Sequence, residues 1–312
     1  MGLQSQFKLP VIDFSEGNLN PGTSTWVSAC NDVRQALEEQ GCFEARFDKV
    51  PLQLHDTVFA TAAELFDLPT EVKMRNTSNK PYFDYFGQYR SLPLYESLAM
   101  DNPTTHSGTQ SFTNLMWPAG NDRFRESAQS FSELVAELDR TVMRMLFESY
   151  GVGNYYDYYI KSTNYLLRFY KYRKPEMNES DTGLPPHTDR TLLSIIHQGR
   201  ISGLQVKLKD GQWVGVQPSP TSFAVMAGDA LMAWSNDRIP PCYHQVTMKE
   251  KETRYSIGMF SFISGIIHIL EELVDETHPL KYKSFDHFQF LHFDRSDEGK
   301  KSKCSIKAFC GV

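Results

Sequence analysis

The stretch from Tyr165 to Phe262 decides the fold. It opens with YLLRFYKY (Tyr165–Tyr172) and closes with YSIGMFSF (Tyr255–Phe262). Short runs rich in aromatic and β-branched residues alternate here with Gly, Pro, Asn and Asp, which is typical of strands joined by turns. Regular spacing of such runs favours a closed double-sheet structure over alternating strand–helix units. The predicted strands are Tyr165–Tyr172, Leu192–His197, Leu204–Leu208, Trp213–Gln217, Phe223–Met226, Ala230–Trp234, Tyr243–Met248 and Tyr255–Phe262.

The chain before this stretch has the apolar spacing of amphipathic helices. The first predicted helix follows possible capping residues at 23–25, ends at Gly41, and buries Trp26, Cys30, Val33 and Leu37. Two more helices are predicted at about 52–68 and 128–149. We therefore predict an α+β protein with a jelly-roll core. Its parts are an N-terminal helical region (1–160), the jelly-roll core (161–265) and a helical or irregular C-terminal extension packing on the core (266–312).

Composition and charge argue against several classes of function. The chain has 32 basic and 38 acidic residues, so it lacks the electrostatic footprint of a nucleic-acid-binding protein. No stretch approaches the ~18 apolar residues of a membrane span, and the opening MGLQSQFKLP lacks the apolar centre of a signal peptide. The five cysteines are scattered without CxxC pairs, which indicates a reducing compartment. We expect a cytoplasmic monomer with no nucleic-acid or membrane partner.

The segment His187-Thr188-Asp189 places an imidazole and a carboxylate on the same side of an extended backbone. Such a pair is weak evidence alone, because a second copy occurs at His292-Phe293-Asp294 and an isolated copy is more often a hydrogen-bonded polar pair. Only the first copy is followed by strand-like runs that lead to another candidate ligand, His244. Two His and one carboxylate suit non-haem Fe(II) that activates O2. Taken alone, His244 fits a core histidine equally well.

A buried cation is predicted on the last strand of the core. Period-two alternation places Arg254, Ser256, Phe260 and Phe262 on one face, and an inward guanidinium needs an anion. A carboxylate bound by Arg254 and the Ser256 hydroxyl meets that need. Tyr172 could hydrogen-bond the same anion, although packing alone is as common a fate for a buried Tyr. The alternative is a solvated Arg254 on an edge strand, which the two Phe residues make less favourable.

The order of Tyr172, His187-x-Asp189, His244 and Arg254-x-Ser256 resembles the plant 2-oxoglutarate/Fe(II)-dependent dioxygenase family. The resemblance runs from about Leu9 to Phe262. It also includes Leu9–Phe14, Gly41-Cys42-Phe43, Gly203-Leu204-Gln205-Val206, Gly228-Asp229 and Trp234-Ser235-Asn236. Two positions depart from the family pattern. Tyr170 stands where many members have Asn, and Asp237 stands where Gly usually follows.

This resemblance implies that the core is a double-stranded β-helix (jelly-roll), and it implies what the site in that core binds. It implies Fe(II) bound by His187, Asp189 and His244, and 2-oxoglutarate chelating the iron while its distal carboxylate lies on Arg254, Ser256 and Tyr172. It further implies O2 as the oxidant, ascorbate as the reductant of the iron, and release of succinate and CO2.

The stretch FTNLMWPAGN (Phe112–Asn121) is similar to the family branch that contains glucosinolate side-chain dioxygenases and steroidal-alkaloid hydroxylases. We therefore expect an oxidoreductase that hydroxylates a small plant specialised metabolite or hormone, with desaturation, demethylation or ring formation as other outcomes. The expected substrate-pocket residues are Arg168, Tyr170, Phe260, Phe262 and Trp117. An outward, salt-bridged Arg168 and simple core packing of Tyr170 and Trp117 are the alternatives.

Two other classes of protein fit part of the pattern. A non-catalytic jelly-roll protein could bind a metabolite in the cavity, but it has no use for three metal ligands followed by a buried cation. A cupin-type metal enzyme would use no cosubstrate, and its turnover should hardly change in Arg254→Ala.

Overall fold

The computed structural model describes residues 8–15, 19–250 and 252–312. The first seven residues, on which the expectation of no signal peptide partly depends, lie outside this range, as does the start of the predicted region 1–160. Within the described ranges, none of the helices combines the length and the apolar character that crossing a membrane requires.

The described residues form two main β-sheets, and helices pack on the larger one. The strands are β1 (Val11–Asp13), β2 (Cys42–Arg46), β3 (Tyr95–Asp101), β4 (Thr163–Tyr172), β5 (Thr182–His187), β6 (Leu193–Gln198), β7 (Leu204–Lys207), β8 (Trp213–Gly215), β9 (Ser222–Ala227), β10 (His244–Thr247), β11 (Arg254–Ile263), β12 (Ile266–Ile267) and β13 (Phe285–Asp286). The α-helices are α1 (Ser24–Gln40), α2 (Leu52–Asp67), α3 (Thr70–Lys73), α4 (His106–Met116), α5 (Asp122–Ser149), α6 (Tyr156–Ser162), α7 (Asp229–Trp234), α8 (His287–Arg295), α9 (Asp297–Lys301) and α10 (Ser305–Cys310).

The three predicted helices are confirmed as α1, α2 and α5. The Thr23 side chain caps α1 by accepting a hydrogen bond from the Trp26 N–H at 3.2 Å. At the other end Gly41 has a φ of 70° and its N–H donates to the Leu37 carbonyl, which ends the helix. Both α1 and α2 pack against the long helix α5.

The larger sheet has seven strands in the order β1-β2-β9-β6-β11-β4-β3, and the smaller has the order β5-β10-β7-β8. All pairs in these two sheets are antiparallel except β1–β2. This arrangement confirms the predicted α+β class and jelly-roll core. The division at residues 160 and 265 stays a prediction, since β1, β2 and β3 share a sheet with strands of the predicted core.

One of the eight predicted strands is wrong. The segment Ala230–Trp234 belongs to helix α7, in which the Met232 N–H donates to the Gly228 carbonyl at 3.1 Å. Every residue of α7 is buried, and the five residues Ala230–Trp234 are all apolar. Periodicity cannot distinguish a buried helix from a buried strand in so short an apolar run.

Candidate active site

His187, Asp189 and His244 come together at one end of the small sheet. His187 on β5 lies directly opposite His244 on β10. The Nε2 atom of His187 is 3.6 Å from Asp189 Oδ1, and that of His244 is 3.7 Å from Asp189 Oδ2. One potential ligand atom from each residue lies within 4.8 Å of the other two. The arrangement is a two-His, one-carboxylate set of the kind that binds non-haem iron.

Backbone carbonyls orient both imidazoles toward Asp189. The Nδ1 atom of His187 lies 2.9 Å from the Pro185 carbonyl oxygen, and that of His244 lies 3.2 Å from the Cys242 carbonyl oxygen. A carbonyl can only accept, so Nδ1 carries the proton and Nε2 keeps its lone pair. Burial lowers the pKa of His244 to about 4, and His187 acts in the same direction. His244 is therefore neutral at pH 7, as a metal ligand must be.

The surroundings of the Asp189 carboxylate test whether the cluster fits a metal ion. Its Oδ2 atom is buried and has no hydrogen-bond partner among the described residues. Burial raises the pKa of this carboxyl, but His244 and His187 outweigh burial and hold the pKa well below its usual value. An ionised buried oxygen without a partner is costly unless a cation balances it. The donor set therefore fits a divalent iron ion.

The Gly228-Asp229 segment holds the loop that carries Asp189. The Asp229 N–H donates to the Asp189 carbonyl at 2.8 Å, and the Gly228 N–H donates to the Leu192 carbonyl at 2.9 Å. A Cβ atom at position 228 would lie 2.2 Å from the Thr191 carbonyl oxygen. Only glycine allows this close approach, so the segment positions the carboxylate through the backbone.

Arg190 connects the same loop to the C-terminal extension. Its Nε donates to Asp294 Oδ1 on α8 at 2.7 Å, and its Nη1 donates to Asp229 Oδ2 at 2.9 Å. The two residues of the second His-x-Asp copy therefore do not act together. Asp294 pairs with Arg190, whereas His292 is exposed. Sequence reasoning missed Arg190, and the only signal for it was its place directly after Asp189.

Arg254 is fully buried on β11, in the register position opposite Tyr172. Its Nη1 donates to Ser256 Oγ at 3.0 Å and its Nη2 donates to Gln198 Oε1 at 2.8 Å, while its Nε has no partner among the described residues. Burial lowers the pKa of the guanidinium, and Tyr172 opposes that effect. A buried cation with neutral partners fits an anionic ligand.

Gly203 and Gln198 enclose the Arg254 side chain. A Cβ atom at position 203 would lie 2.9 Å from both Cδ and Nε of Arg254, so the backbone reaches the arginine only because the residue is glycine. Gln198 is itself fixed, since its Nε2 donates to the Val216 carbonyl at 2.9 Å and its Oε1 accepts from the Leu204 N–H at 3.2 Å. Gln198 had no signal in the sequence beyond its place near a strand.

A cavity of about 280 Å³ lies beside the His187–Asp189 cluster. The structure brings four of the five pocket candidates to it: Arg168, Tyr170, Phe260 and Phe262. Arg254, Ser256 and Tyr172 do not line this cavity. Tyr172 lies directly behind the wall, because its ring stacks on that of Tyr170 with the centroids 6.4 Å apart. The predicted iron and carboxylate positions are therefore separate but adjacent.

Trp117 is the pocket candidate that the structure places elsewhere. It follows the end of α4, and its ring packs against Phe124 of α5 with the centroids 4.8 Å apart. It does not line the cavity, so its pocket assignment is corrected to helix packing. Residues from distant segments line the cavity instead, among them Tyr82, Tyr95 and Arg295. Their local sequences carry no sign of this role, because only the tertiary fold brings them there.

Known proteins match the chain over nearly its whole length. The family model described as the 2OG-Fe(II) oxygenase superfamily matches residues 161–263, and that described as non-haem dioxygenase in morphine synthesis N-terminal matches residues 9–119. The chain is 43% identical over 311 residues to probable 2-oxoglutarate-dependent dioxygenase AOP1.2 of Arabidopsis thaliana, covering 97% of this chain and 96% of that protein. It is 32% identical to 2-oxoglutarate-dependent dioxygenase AOP3 of Arabidopsis thaliana, covering 98% of each.

Solved structures agree with this relationship. The rice dioxygenase for auxin oxidation superposes with a TM-score of 0.81 at 25% identity, covering 98% of this chain and 100% of that one. The Arabidopsis thaliana dioxygenase for auxin oxidation 1 in complex with 2-oxoglutarate gives a TM-score of 0.77 at 27% identity, covering 87% and 100%. These matches confirm the family and its plant branch. The chain belongs to the 2-oxoglutarate/Fe(II)-dependent dioxygenase family, and it is an oxidoreductase that uses Fe(II), 2-oxoglutarate and O2.

Proposed function

We propose that His187, Asp189 and His244 bind the Fe(II) ion of this dioxygenase. The observation that carries this assignment is the buried Oδ2 atom of Asp189, which has no hydrogen-bond partner in the part of the chain that the structure describes and lies beside an imidazole Nε2 with a free lone pair. The bound iron would supply the activation of O2 that is coupled to oxidative decarboxylation of the cosubstrate. The single charge of Asp189 leaves a divalent ion with a net positive charge, which favours binding of a dianion.

Arg254, Ser256 and Tyr172 are our assignment for the distal carboxylate of the 2-oxoglutarate cosubstrate. Arg254 is buried without a carboxylate hydrogen-bond partner among the described residues, and its neighbours are hydroxyl and amide groups that leave its charge uncompensated. A carboxylate would restore the balance and gain charge-assisted hydrogen bonds. The Gln198 amide and the Gly203 backbone hold the guanidinium in place for this ligand.

The proposed reaction is hydroxylation of a small plant metabolite or hormone in the cavity. Its volume of about 280 Å³ lies just below the roughly 300–1,000 Å³ found for ligand sites, which supports a small substrate. Phe260 and Phe262 line the wall and exclude water from the reacting atoms. Two structural relatives are named as dioxygenases for auxin oxidation, and auxin is a small molecule. Desaturation, demethylation and ring formation remain alternative outcomes.

We also propose that the protein works as a cytoplasmic monomer with no nucleic-acid or membrane partner. All five cysteines are free thiols, which supports a reducing compartment. Size-exclusion chromatography with light scattering tests the monomer, and a fluorescent fusion expressed in plant cells tests the location.

The iron assignment is tested with purified enzyme, Fe(II), 2-oxoglutarate and ascorbate in air. We expect His187→Ala and Asp189→Ala to lose bound iron and to abolish succinate release. The matched control is His292→Ala, which removes the exposed imidazole of the other His-x-Asp copy and should keep both properties. Normal iron content in both active-site variants would show that the ligands lie elsewhere.

A further inference from the structure

Arg168 lies in the middle of strand β4, on the face of the large sheet that lines the cavity. In the register of the sheet its neighbours are Ala99 on β3 and Gly258 on β11. These two small residues leave room for the guanidinium on the sheet surface. The side chain is 8% exposed, so it is buried rather than solvated. The outward, salt-bridged orientation considered from the sequence is therefore wrong.

The hydrogen-bond partners of Arg168 are all neutral. Its Nη1 donates to Ser97 Oγ at 2.6 Å, and its Nη2 donates to the carbonyl oxygens of Tyr82 and Asp84. The Tyr95 hydroxyl also hydrogen-bonds the Arg168 side chain. Because an arginine has five N–H donors and these four partners are neutral, at least one donor is left for a ligand. Within the described ranges, Arg168 takes part in no ion pair with a carboxylate.

The other two arginines of the cavity differ from Arg168 in this respect. Arg190 pairs with Asp229 and Asp294, and Arg295 has its Nη1 3.9 Å from Asp84 Oδ2. Neutral carbonyl and hydroxyl acceptors satisfy hydrogen bonds but leave the charge of Arg168 uncompensated. Burial of an unpaired charge is costly, and an anion in the cavity would offset that cost.

Arg168 lies at a different place along the strands from Arg254, to which the 2-oxoglutarate carboxylate is assigned. On the same face of the β4–β11 pair, Arg254 is opposite Tyr172 and Gly258 is opposite Arg168. The two arginines are thus separated by four residues along the strands, roughly 13 Å at the usual rise per residue. Arg168 shares its cavity with Phe260, Phe262 and the His187–Asp189 cluster, whereas Arg254 does not.

We propose that the substrate is a small organic acid whose carboxylate pairs with Arg168, which would make this arginine a specificity-determining residue. A single uncompensated cation matches one negative charge, and the Phe260 and Phe262 rings match an apolar body attached to the carboxylate. This inference rests on the proposed iron and 2-oxoglutarate site, because the same cavity must hold the reacting carbon beside the iron.

The test begins with a plant methanol extract separated into three fractions: neutral and basic compounds, carboxylic acids, and strong acids such as sulfate or phosphate esters. Each is incubated with the enzyme, Fe(II), 2-oxoglutarate and ascorbate, and products with one added oxygen are detected by mass spectrometry. We expect the product to arise from the carboxylic acid fraction. A product from either other fraction overturns the proposal.

Variants then test the arginine itself with the acid that reacts. In Arg168→Gln we expect the KM for that acid to rise about 30-fold or more, as for other truncated buried charge pairs. The KM for 2-oxoglutarate should stay within about twofold, which a general folding defect would not allow. Arg168→Lys should recover part of the loss because it retains the charge. The control is Arg123→Gln, which removes an exposed arginine that pairs with Glu64.

The methyl ester of the reacting acid supplies a second readout. The wild type should prefer the acid to the ester, and Arg168→Gln should lose that preference. An unchanged preference would remove Arg168 from substrate recognition. Succinate release and iron content in the wild type report on the proposed iron site separately, so failure of that site is distinguishable from failure of the acid preference.

Discussion

Arg254 and Tyr172 face each other across the β4–β11 pair, with the guanidinium carbon 5.0 Å from the centre of the phenol ring. Both side chains are buried. The ring covers one face of the cation and keeps water from it, which strengthens any charge pair that Arg254 forms. This relationship supports our assignment of Arg254 to the carboxylate of the cosubstrate.

Replacement of Arg254 should therefore weaken the binding of the cosubstrate. Loss of one partner from a buried charge pair costs about 2–5 kcal/mol, so the KM for 2-oxoglutarate in Arg254→Gln should rise roughly 30-fold or more. The KM of Arg254→Lys for 2-oxoglutarate should lie between those of Arg254→Gln and the wild type, because lysine keeps the charge but lacks the planar guanidinium. Succinate release measured against 2-oxoglutarate concentration provides the KM values.

Arg200→Gln is the matched control for this experiment. Arg200 belongs to another Arg-x-Ser sequence, Arg200–Ser202, and its side chain is exposed. We expect its KM for 2-oxoglutarate to equal that of the wild type. Equal KM values for Arg254→Gln and Arg200→Gln would remove Arg254 from the carboxylate site and show that the distal carboxylate binds elsewhere.

Gly203→Ala should affect the same ligand through the position of Arg254. The added methyl group would lie 2.9 Å from Arg254 Cδ and Nε and 2.9 Å from the Thr247 carbonyl oxygen, so the arginine must move. Overpacking of this kind costs about 1–3 kcal/mol of stability. We expect a higher KM for 2-oxoglutarate and an unchanged iron content.

Gly215→Ala controls for the general effect of a methyl group in the small sheet. The nearest atom to a Cβ at that position is the Gln217 Nε2 at 3.8 Å, an ordinary contact. This variant should match the wild type in KM and in melting temperature. If Gly203→Ala behaves like Gly215→Ala, the close backbone approach has no part in placing the arginine.

The face of β4 and β11 that carries the candidate site was predictable from the sequence. Alternation placed Tyr172 on the inner face of β4 and Arg254, Ser256 and Phe260 on that of β11, and the register agrees, with Arg254 opposite Tyr172. Alternation of side chains is a local property of extended backbone, so it can be predicted from the sequence of each strand alone. Alternation alone does not predict that His187 and His244 converge, because the pairing of β5 with β10 joins strands that are distant in the sequence.

Strand β5 itself was not predicted, and its sequence explains why. Pro185 and Pro186 lie within Thr182–His187, and proline argues against a strand interior. The structure places β5 at the edge of the small sheet, where one side has no ladder partner and proline is tolerated. Edge position depends on which strands pair, and that is decided by contacts distant in sequence. The same limit applies to the cavity wall formed by Tyr82 and Arg295.

Asp237, which stands where the family usually has Gly, should contribute to stability. Its φ of 68° explains the usual glycine, and its carboxylate compensates by binding the C-terminal extension through Tyr282, Lys281 and Lys307. Asp237→Gly should lose these bonds but relieve the backbone. Asp237→Ala should lose the same bonds without relieving the backbone, so it should be about 1–2 kcal/mol less stable than Asp237→Gly.

Urea unfolding of the Gly, Ala and Asn variants at position 237 separates the two contributions. Asn tolerates the left-handed conformation and retains a hydrogen bond to Tyr282, so it should be the most stable of the three. Equal stability of Asp237→Gly and Asp237→Ala would show that the backbone conformation carries no cost at this position.

The buried His55–His197 pair should make stability depend on pH. The Nδ1 of His197 lies 3.0 Å from the Ser222 carbonyl oxygen, and its Nε2 lies 2.8 Å from His55 Nδ1. Burial lowers the pKa of His197 to about 3 and also lowers that of His55. The unfolded chain, with an imidazole pKa of about 6.5, therefore binds protons that the folded chain does not.

The sign follows from this difference in bound protons. The stabilising contribution of neutral His197 is fully present above about pH 6.5 and is lost as the pH falls below it. Between about pH 5.5 and pH 4 the loss of stability approaches about 1.4 kcal/mol per pH unit for each such proton.

In His197→Gln the free energy of unfolding should fall less steeply as the pH is lowered. The slope should be smaller than that of the wild type by about 1.4 kcal/mol per pH unit. Urea unfolding at several pH values gives the slopes, and His106→Gln, which removes an exposed imidazole, should keep the wild-type slope. A wild-type slope in His197→Gln would mean that another group takes up the proton.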